Sequence, residues 1–192
     1  LHIWIIEMIL YIDHYDSFTN TIVDYVRYLG FEVCIKKTDE HLDNLDQYTH
    51  IVIGPGPGHP NELRDLYFII NFCENFNKPL LGICLGHQLI GQYYGCNIIK
   101  SKPIFHGRNS LIFTDNNCVL YRGLPRQFEV TRYHSLVVGL TKEPLINVAK
   151  TQDNEIMAFK HNKNNIFGIQ YHPEAYLTEY GLEVLGNFLK IS

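Results

Sequence analysis

Several features by which whole classes of protein are recognised are missing from this sequence. It contains no Cys-x-x-Cys pair, and its five cysteines are widely spread, so neither a disulfide framework nor a zinc knuckle is indicated. Its ten histidines include no His-Glu-x-x-His or comparable ligand spacing, and we assign no metal site. The formal charge is -4 without a basic stripe, so we expect no nucleic-acid partner. The cysteine usage fits a reducing, cytoplasmic setting.

The amino-terminal residues also lack the features of a targeting segment. Residues 1–7 are mostly apolar, with the run broken by Glu7, but they have neither a basic leader nor a small-residue cleavage site. The run is also too short to span a bilayer. We therefore expect no membrane partner. Because a strand pattern starts directly after Met8, our hypothesis is that residues 1–7 are a non-native or flexible extension and that 8–192 form one domain. Mass spectrometry of the natural protein would refute this if the mature chain began before Met8.

What the sequence does contain is an alternation of strand and helix patterns. The first half predicts strands at 9–12, 31–35, 51–53 and 80–83, and helices at 18–29, 63–76 and 85–94. Strands separated by helices predict βαβ units, and hence an α/β fold with an open, mostly parallel twisted sheet and helices on both faces. After Ile99, short strands with turn residues between them predict a flanking antiparallel set at 109–114, 128–132, 145–151, 156–161 and 166–170. A closing helix is predicted around 182–189.

The segment Gly82-Ile83-Cys84-Leu85-Gly86 has the form of a nucleophile elbow. A cysteine is flanked by two glycines, after an apolar run and before a helical pattern. Glycines suit the strained, crowded backbone of such a turn, and the helix start favours the thiolate that acts as nucleophile. A buried structural cysteine at a strand end would fit the same segment, because free cysteine is common in cores.

A cysteine nucleophile needs a base, and the base needs an orienting partner. His172-Pro173-Glu174 supplies both in a short stretch after a predicted strand. His172 would take the proton from Cys84, and Glu174 would hold the imidazole in the right tautomer. Alone, His-Pro-Glu is more typical of a surface turn with a solvated carboxylate. Its combination with an elbow cysteine favours the catalytic interpretation.

The loop from Gly54 to Pro60 is the third element. Its prolines have no N–H, so Gly56 and Gly58 are the possible backbone donors near its apex. Attack on an amide creates an oxyanion, which one N–H of this loop and that of Leu85 would stabilise. The alternative is a rigid loop of turn residues between a strand and a helix.

Together these three segments resemble the class I, triad-type glutamine amidotransferases. Asp13–Asn20, Thr131–Leu136 and His106-Gly107 further resemble the glutaminase subunits of anthranilate synthase and aminodeoxychorismate synthase. The resemblance runs from Met8 to the carboxyl end and implies a flavodoxin-like fold. It also implies a catalytic triad and a set of glutamine- and oxyanion-binding residues. The triad is Cys84, His172 and Glu174, and the binding residues are Gly56, Pro57, Gly58, Leu85, Gln88, Ser135 and Leu136.

The resemblance implies hydrolysis of L-glutamine through a cysteinyl thioester. The ammonia would pass to a separate chorismate-binding synthase subunit, component I, of the tryptophan or folate pathway. No cofactor is expected in this chain, and Mg²⁺ and chorismate are expected only in the partner. The chain departs from the family at His14, where asparagine is usual, at Gly54, where serine is frequent, and at Ala175, where serine usually follows His-Pro-Glu. His87 is expected to point away from Cys84 and to pack or hydrogen-bond.

Three alternatives stay open at this point. A cysteine γ-glutamyl hydrolase or peptidase could use the same scaffold, and a non-catalytic binding subunit could retain it. A glutaminase subunit could also serve another acceptor, such as a carbamoyl phosphate or nucleotide synthase. The Gly56–Gly58 loop and the Asp13–Asn20 segment argue against the hydrolase, and the complete triad argues against the non-catalytic subunit. Tyr133–Leu136 favours the chorismate enzymes over the third alternative.

Overall fold

A computed structural model describes residues 8–101 and 106–192, so the prediction for residues 1–7 lies outside the described residues. In these ranges the strands are β1 (Met8–Asp13), β2 (Glu32–Lys37), β3 (His50–Ile53), β4 (Leu80–Ile83), β5 (Ile98–Lys100), β6 (Arg108–Thr114), β7 (Gln127–Arg132), β8 (Leu136–Val138), β9 (Leu145–Thr151), β10 (Ile156–His161) and β11 (Ile166–Ile169). The α-helices are α1 (Thr19–Tyr28), α2 (Tyr67–Phe76), α3 (Leu85–Tyr93) and α4 (Gly181–Leu189). None of the described helices is long and apolar enough to cross a membrane.

Nine of these strands form one mixed sheet in the order β2-β1-β3-β4-β11-β10-β9-β6-β7. The five from β2 to β11 pair in parallel, and β10, β9, β6 and β7 continue the sheet in antiparallel pairs. Every residue of β3, β4 and β11 is buried, as expected for parallel strands that are covered on both faces. The predicted α/β class, with a parallel sheet and a flanking antiparallel set, is confirmed.

The core consists of two apolar layers, one on each face of the sheet. Ile9 and Tyr11 of β1 point into one layer and Leu10 and Ile12 into the other, which is the two-residue period of a strand. Helices α1 and α4 cover the first layer, and α2 and α3 cover the second. The rim at which β1, β3, β4 and β11 end lies between these layers, and ligands of open α/β sheets bind at such a rim.

Two local features differ from the sequence-based prediction. The predicted helix at 63–76 is a 3₁₀ segment, Pro60–Leu66, followed by α2, which begins at Tyr67. Pro60 has no N–H and fits the first turn, where none is needed. The sequence also did not predict the pair of β5 and β8, in which Lys100 pairs with Leu136. This pair brings the start of β8 next to the amino-terminal half of α3.

Candidate active site

Cys84 occupies the turn between β4 and α3 in a strained backbone conformation. Its φ of 52° and ψ of -97° fall in a region that residues with a side chain rarely adopt. Its N–H donates to the carbonyl of Ile169 over 2.8 Å, and its own carbonyl accepts from the N–H of Gln88 over 3.1 Å. The neighbouring strand and the first turn of α3 therefore hold the strained residue from both sides.

The two glycines of the elbow are required by close backbone approaches. A Cβ on Gly82 would lie 2.5 Å from the backbone carbonyl group of Gly86. A Cβ on Gly86 would overlap the carbonyl oxygen of Ile53, which ends the adjacent strand β3. The turn can therefore approach the sheet this closely only because neither position carries a side chain.

His172 and Glu174 lie beyond β11, the parallel neighbour of β4. Nδ1 of His172 is 2.6 Å from Oε1 of Glu174, and both residues are buried. Because a carboxylate only accepts, Nδ1 is the protonated nitrogen of this pair, and Nε2 is the nitrogen left to exchange a proton. The hydroxyl of Thr178 donates to the carbonyl of His172 over 2.7 Å and fixes the backbone of this turn.

The charge state of His172 depends on its burial and on its neighbours Cys84 and Glu174. Burial alone would lower the pKa of His172, but the sulfur of Cys84 and then the carboxylate of Glu174 outweigh burial and raise it to about 10. The rings of Phe18 and Tyr133 pack edge-on against the imidazole, with centroids 5.3 and 5.1 Å from it. The site therefore holds a water-shielded imidazole that carries a proton at neutral pH next to the cysteine sulfur.

The predicted binding residues meet in one small cavity of about 160 Å³ beside Cys84. All seven line it, namely Gly56, Pro57, Gly58, Leu85, Gln88, Ser135 and Leu136. Cys84, Tyr133 and His134 complete the lining, whereas His172 and Glu174 are not among the lining residues. The structure thus places three separate chain segments around one sulfur atom.

The proposed oxyanion donors, Leu85 and a glycine of the loop after β3, both line this cavity. Leu85 is the first residue of α3, so its N–H has no acceptor within the helix and is available to a ligand. Gly56 lies in the loop after β3, where a Cβ would come within 2.9 Å of His14, including its carbonyl oxygen. Gly58 has a φ of 85° and faces the carboxylate of Glu62. The loop conformation therefore requires glycine at both positions.

Gln170 is a site residue that we did not predict. Its side chain is fully buried, and its Nε2 lies 3.7 Å from Sγ of Cys84. Its Oε1 accepts from Nε2 of Gln88 over 3.2 Å. The signal in the sequence is a polar residue directly after the apolar strand Ile166–Ile169. His87, by contrast, stacks on Phe159 with a centroid distance of 4.3 Å, which is the packing role expected for it.

With this geometry established, comparison with known proteins identifies the family. The family model described as "Glutamine amidotransferase class-I" matches residues 10–191. The chain is a member of the class I glutamine amidotransferase family. This membership agrees with the resemblance seen in the elbow, the glycine-proline loop and the His-Pro-Glu segment.

Curated relatives share two-fifths of the sequence over almost the whole chain. "Anthranilate synthase component 2" of Saccharolobus solfataricus is 40% identical over 95% of this chain and 98% of its own length. The protein of the same name from Pyropia yezoensis is 43% identical over 96% and 100%. "Aminodeoxychorismate/anthranilate synthase component 2" of Bacillus subtilis is 38% identical over 95% and 96%.

Solved structures agree with the fold. A Thermoplasma acidophilum protein described as part of a putative GMP synthase superposes with a TM-score of 0.86. It is 24% identical and matches 96% of this chain and 92% of its own. A glutamine amidotransferase of Thermotoga maritima gives a TM-score of 0.79 at 17% identity, over 96% and 97%. At these identities the likeness extends to the fold alone.

Proposed function

We propose that this chain is the glutaminase subunit of a chorismate-aminating synthase, with Cys84 as its nucleophile. The observation that carries the proposal is the position of Cys84, which is strained at the end of β4 and lies at a cavity lined by all seven predicted binding residues. The Cys84 sulfur also raises the pKa of His172, whose Nδ1 is paired with Glu174. A buried structural cysteine has no need of a strained backbone or of such a partner.

The proposed reaction starts with attack of the Cys84 thiolate on the side-chain amide carbon of L-glutamine. The N–H groups of Leu85 and Gly56 stabilise the resulting oxyanion. The imidazolium of His172 then protonates the leaving nitrogen, so that ammonia departs and a glutamyl thioester forms on Cys84. His172 next takes a proton from water, which attacks the thioester, and glutamate is released through a second oxyanion. Glu174 keeps Nδ1 protonated throughout.

The partner in this proposal is a chorismate-binding synthase subunit, component I. The relatives' names support it, because each describes a second component of anthranilate or aminodeoxychorismate synthase. Tyr176 and Leu177 lie two and three residues beyond Glu174 in the chain and are 96% and 55% exposed, so they offer apolar surface for a partner. Mg²⁺ and chorismate belong to the partner in this scheme. The five cysteines are free thiols, which fits the reducing cytoplasm proposed for this complex.

Reconstitution with component I of the same organism tests the proposal. We expect slow glutamine hydrolysis by the isolated chain and faster hydrolysis in the complex. The Cys84→Ala variant should abolish glutamine-dependent synthesis and leave ammonia-dependent synthesis intact. The control Cys34→Ala, in β2 and not in the cavity lining, should leave both intact. Loss of both activities in Cys84→Ala would show that the division of labour is wrong.

The same reconstituted complex separates the pathways and the alternatives. Its aromatic product, anthranilate or aminodeoxychorismate, identifies the pathway that the chain serves. Faster cleavage of γ-glutamyl peptides than of glutamine would instead identify a hydrolase or peptidase. Failure of 6-diazo-5-oxo-L-norleucine, a glutamine analogue, to label Cys84 would favour a non-catalytic subunit.

A further inference from the structure

Gln170 contacts the nucleophile from a fully buried position just after β11. It follows β11, and its backbone N–H donates to the carbonyl of Met157 in β10 over 2.8 Å. Its side chain has no exposed surface and lies between Cys84 and Gln88. Burying a side-chain amide costs free energy unless its oxygen and nitrogen are hydrogen-bonded. The contacts of Gln170 with Cys84 and Gln88 therefore determine which way its amide is oriented.

The contacts from Leu136 through Gln88 and Gln170 to Cys84 form a chain that we call the amide relay. A backbone carbonyl fixes which end of each side-chain amide donates in it. Nε2 of Gln88 donates to the carbonyl of Leu136 over 2.9 Å, and a carbonyl oxygen can only accept. The second N–H of Gln88 points to Gln170, so Gln170 must present its oxygen there. Its nitrogen then faces Sγ of Cys84 over 3.7 Å. Because the pairing of β5 with β8 positions Leu136, this pairing indirectly determines that Gln170 turns its N–H toward the sulfur.

We propose that Gln170 is a positioning residue that donates a hydrogen bond to the Cys84 sulfur and locks the amide orientation of Gln88. The proposal rests on the glutaminase function above and adds a fourth side chain to its machinery. An N–H donor stabilises a thiolate more than a neutral thiol, because hydrogen bonds to ionised acceptors are the stronger ones. The donor therefore holds Sγ in its reactive form and direction before glutamine arrives.

The second half of the proposal concerns the cavity. Both N–H bonds of Gln88 are used by Leu136 and Gln170, so only its oxygen can contact a ligand. Gln88 lines the cavity and can therefore act there only as an acceptor, for a donor such as the ammonium group of an amino acid. Loss of Gln170 would free the Gln88 amide to turn over and present a donor instead.

Two substitutions of Gln170 separate these two contributions. Gln170→Glu keeps the shape and the acceptor for Gln88, but it replaces the donor at Sγ with a carboxylate oxygen. We expect kcat for glutamine hydrolysis, and the rate of Cys84 alkylation by iodoacetamide, to fall about 10- to 100-fold with KM within about threefold. Gln170→Leu loses both contacts, so KM should also rise about tenfold or more.

A matched control is available on α3. Gln92, one turn beyond Gln88, bonds Tyr67 and Asn61 outside the cavity, so Gln92→Leu makes the same chemical change without touching the relay. It should retain wild-type kcat, KM and alkylation rate. Circular dichroism and thermal melting confirm that each variant is folded. If Gln170→Leu fails to fold, the isosteric Gln170→Glu decides alone.

The outcomes separate this proposal from the function on which it rests. Kinetics and alkylation within twofold of wild type in the folded Gln170 variants would overturn the proposal. A fall in kcat without slower alkylation would also overturn it, because it would assign Gln170 to packing only. Wild-type protein that is alkylated at Cys84 but does not hydrolyse glutamine, alone or with component I, would instead refute the glutaminase function.

Discussion

The phenol of Tyr11 fills the space that a side chain at position 54 would need. Tyr11 is completely buried in β1, and a Cβ built on Gly54, directly after β3, would overlap its hydroxyl and lie 2.7 Å from Cζ. The position of this phenol is the physical reason for glycine at position 54. The large side chain of Tyr11 on β1 therefore packs against a position just after β3 that carries no side chain.

This relationship predicts a non-additive pair of substitutions. Gly54→Ser alone should lower the free energy of unfolding by about 1–3 kcal/mol, the usual cost of overpacking a core. Tyr11→Leu opens the space and has its own cavity cost. In the Tyr11→Leu background, Gly54→Ser should cost at least about 1 kcal/mol less than in wild type. Urea unfolding of the four proteins measures this coupling, and strictly additive losses would contradict the packing argument.

The parts of the fold that could be predicted are those whose sequence pattern lies within a short stretch of the chain. The parallel strands β3 and β4 were predictable because strands covered on both faces form continuous apolar runs. The strands β5 and β8 were missed because each has only three residues, and their pairing joins Ile98 to Val138 without a local pattern. Only the folded chain brings such short segments together.

The same distinction applies to the site. The elbow around Cys84 was predictable because its glycines lie within two residues of the cysteine, where the turn needs them. Gln170 was missed because its partners Cys84 and Gln88 lie 86 and 82 positions earlier in the chain. A lone glutamine at a strand end carries no local indication of a contact with a sulfur atom.

Two glycine-to-alanine substitutions, one in the elbow and one in α4, should have opposite effects on stability. Gly86→Ala should destabilise the protein by more than about 3 kcal/mol or prevent folding, because its Cβ would overlap the carbonyl of Ile53. Gly186→Ala lies inside α4, and its Cβ would make ordinary contact with Leu29 at 3.4 Å. It should stabilise the protein by about 0.5–1 kcal/mol through helix propensity. Thermal melting ranks the two variants against wild type, and a stable Gly86→Ala protein would refute the close approach.

The carboxylate of Glu174 should control the basic limit of the reaction. Glu174→Gln keeps the shape of the side chain but removes a charge that raises the pKa of His172. The imidazolium that protonates the leaving nitrogen should then be lost at lower pH than in wild type. We expect the basic limb of the kcat profile to move to lower pH and kcat to fall about 100-fold or more, by analogy with triads whose orienting carboxylate is neutralised.

The control for this prediction is Glu183→Gln, an exposed substitution on α4 that should leave the profile unchanged. Glutamine hydrolysis measured from pH 6 to 10 gives the comparison. A Glu174→Gln profile that keeps the basic limb of wild type would show that Glu174 does not set the protonation of His172.

The buried imidazole of His87 should make the fold sensitive to acid. Burial lowers the pKa of His87 to about 3, against about 6.5 in an unfolded chain. Between these values the unfolded state binds a proton that the folded state does not, so stability falls as pH falls below about 6.5. Above that pH the residue contributes no pH dependence. The loss for one histidine approaches about 1.4 kcal/mol per pH unit.

The variant His87→Gln tests this by removing the titrating group from the same site. At pH 7.5 it should be less stable than wild type, because the stacking on Phe159 is lost. This deficit should shrink as the pH is lowered to 4.5, since only wild type is penalised by protonation of the unfolded chain. Urea unfolding at several pH values measures the deficit, and His41→Gln, at an exposed position, should show no such trend. A deficit that stays constant from pH 7.5 to 4.5 would show that His87 is not held neutral by burial.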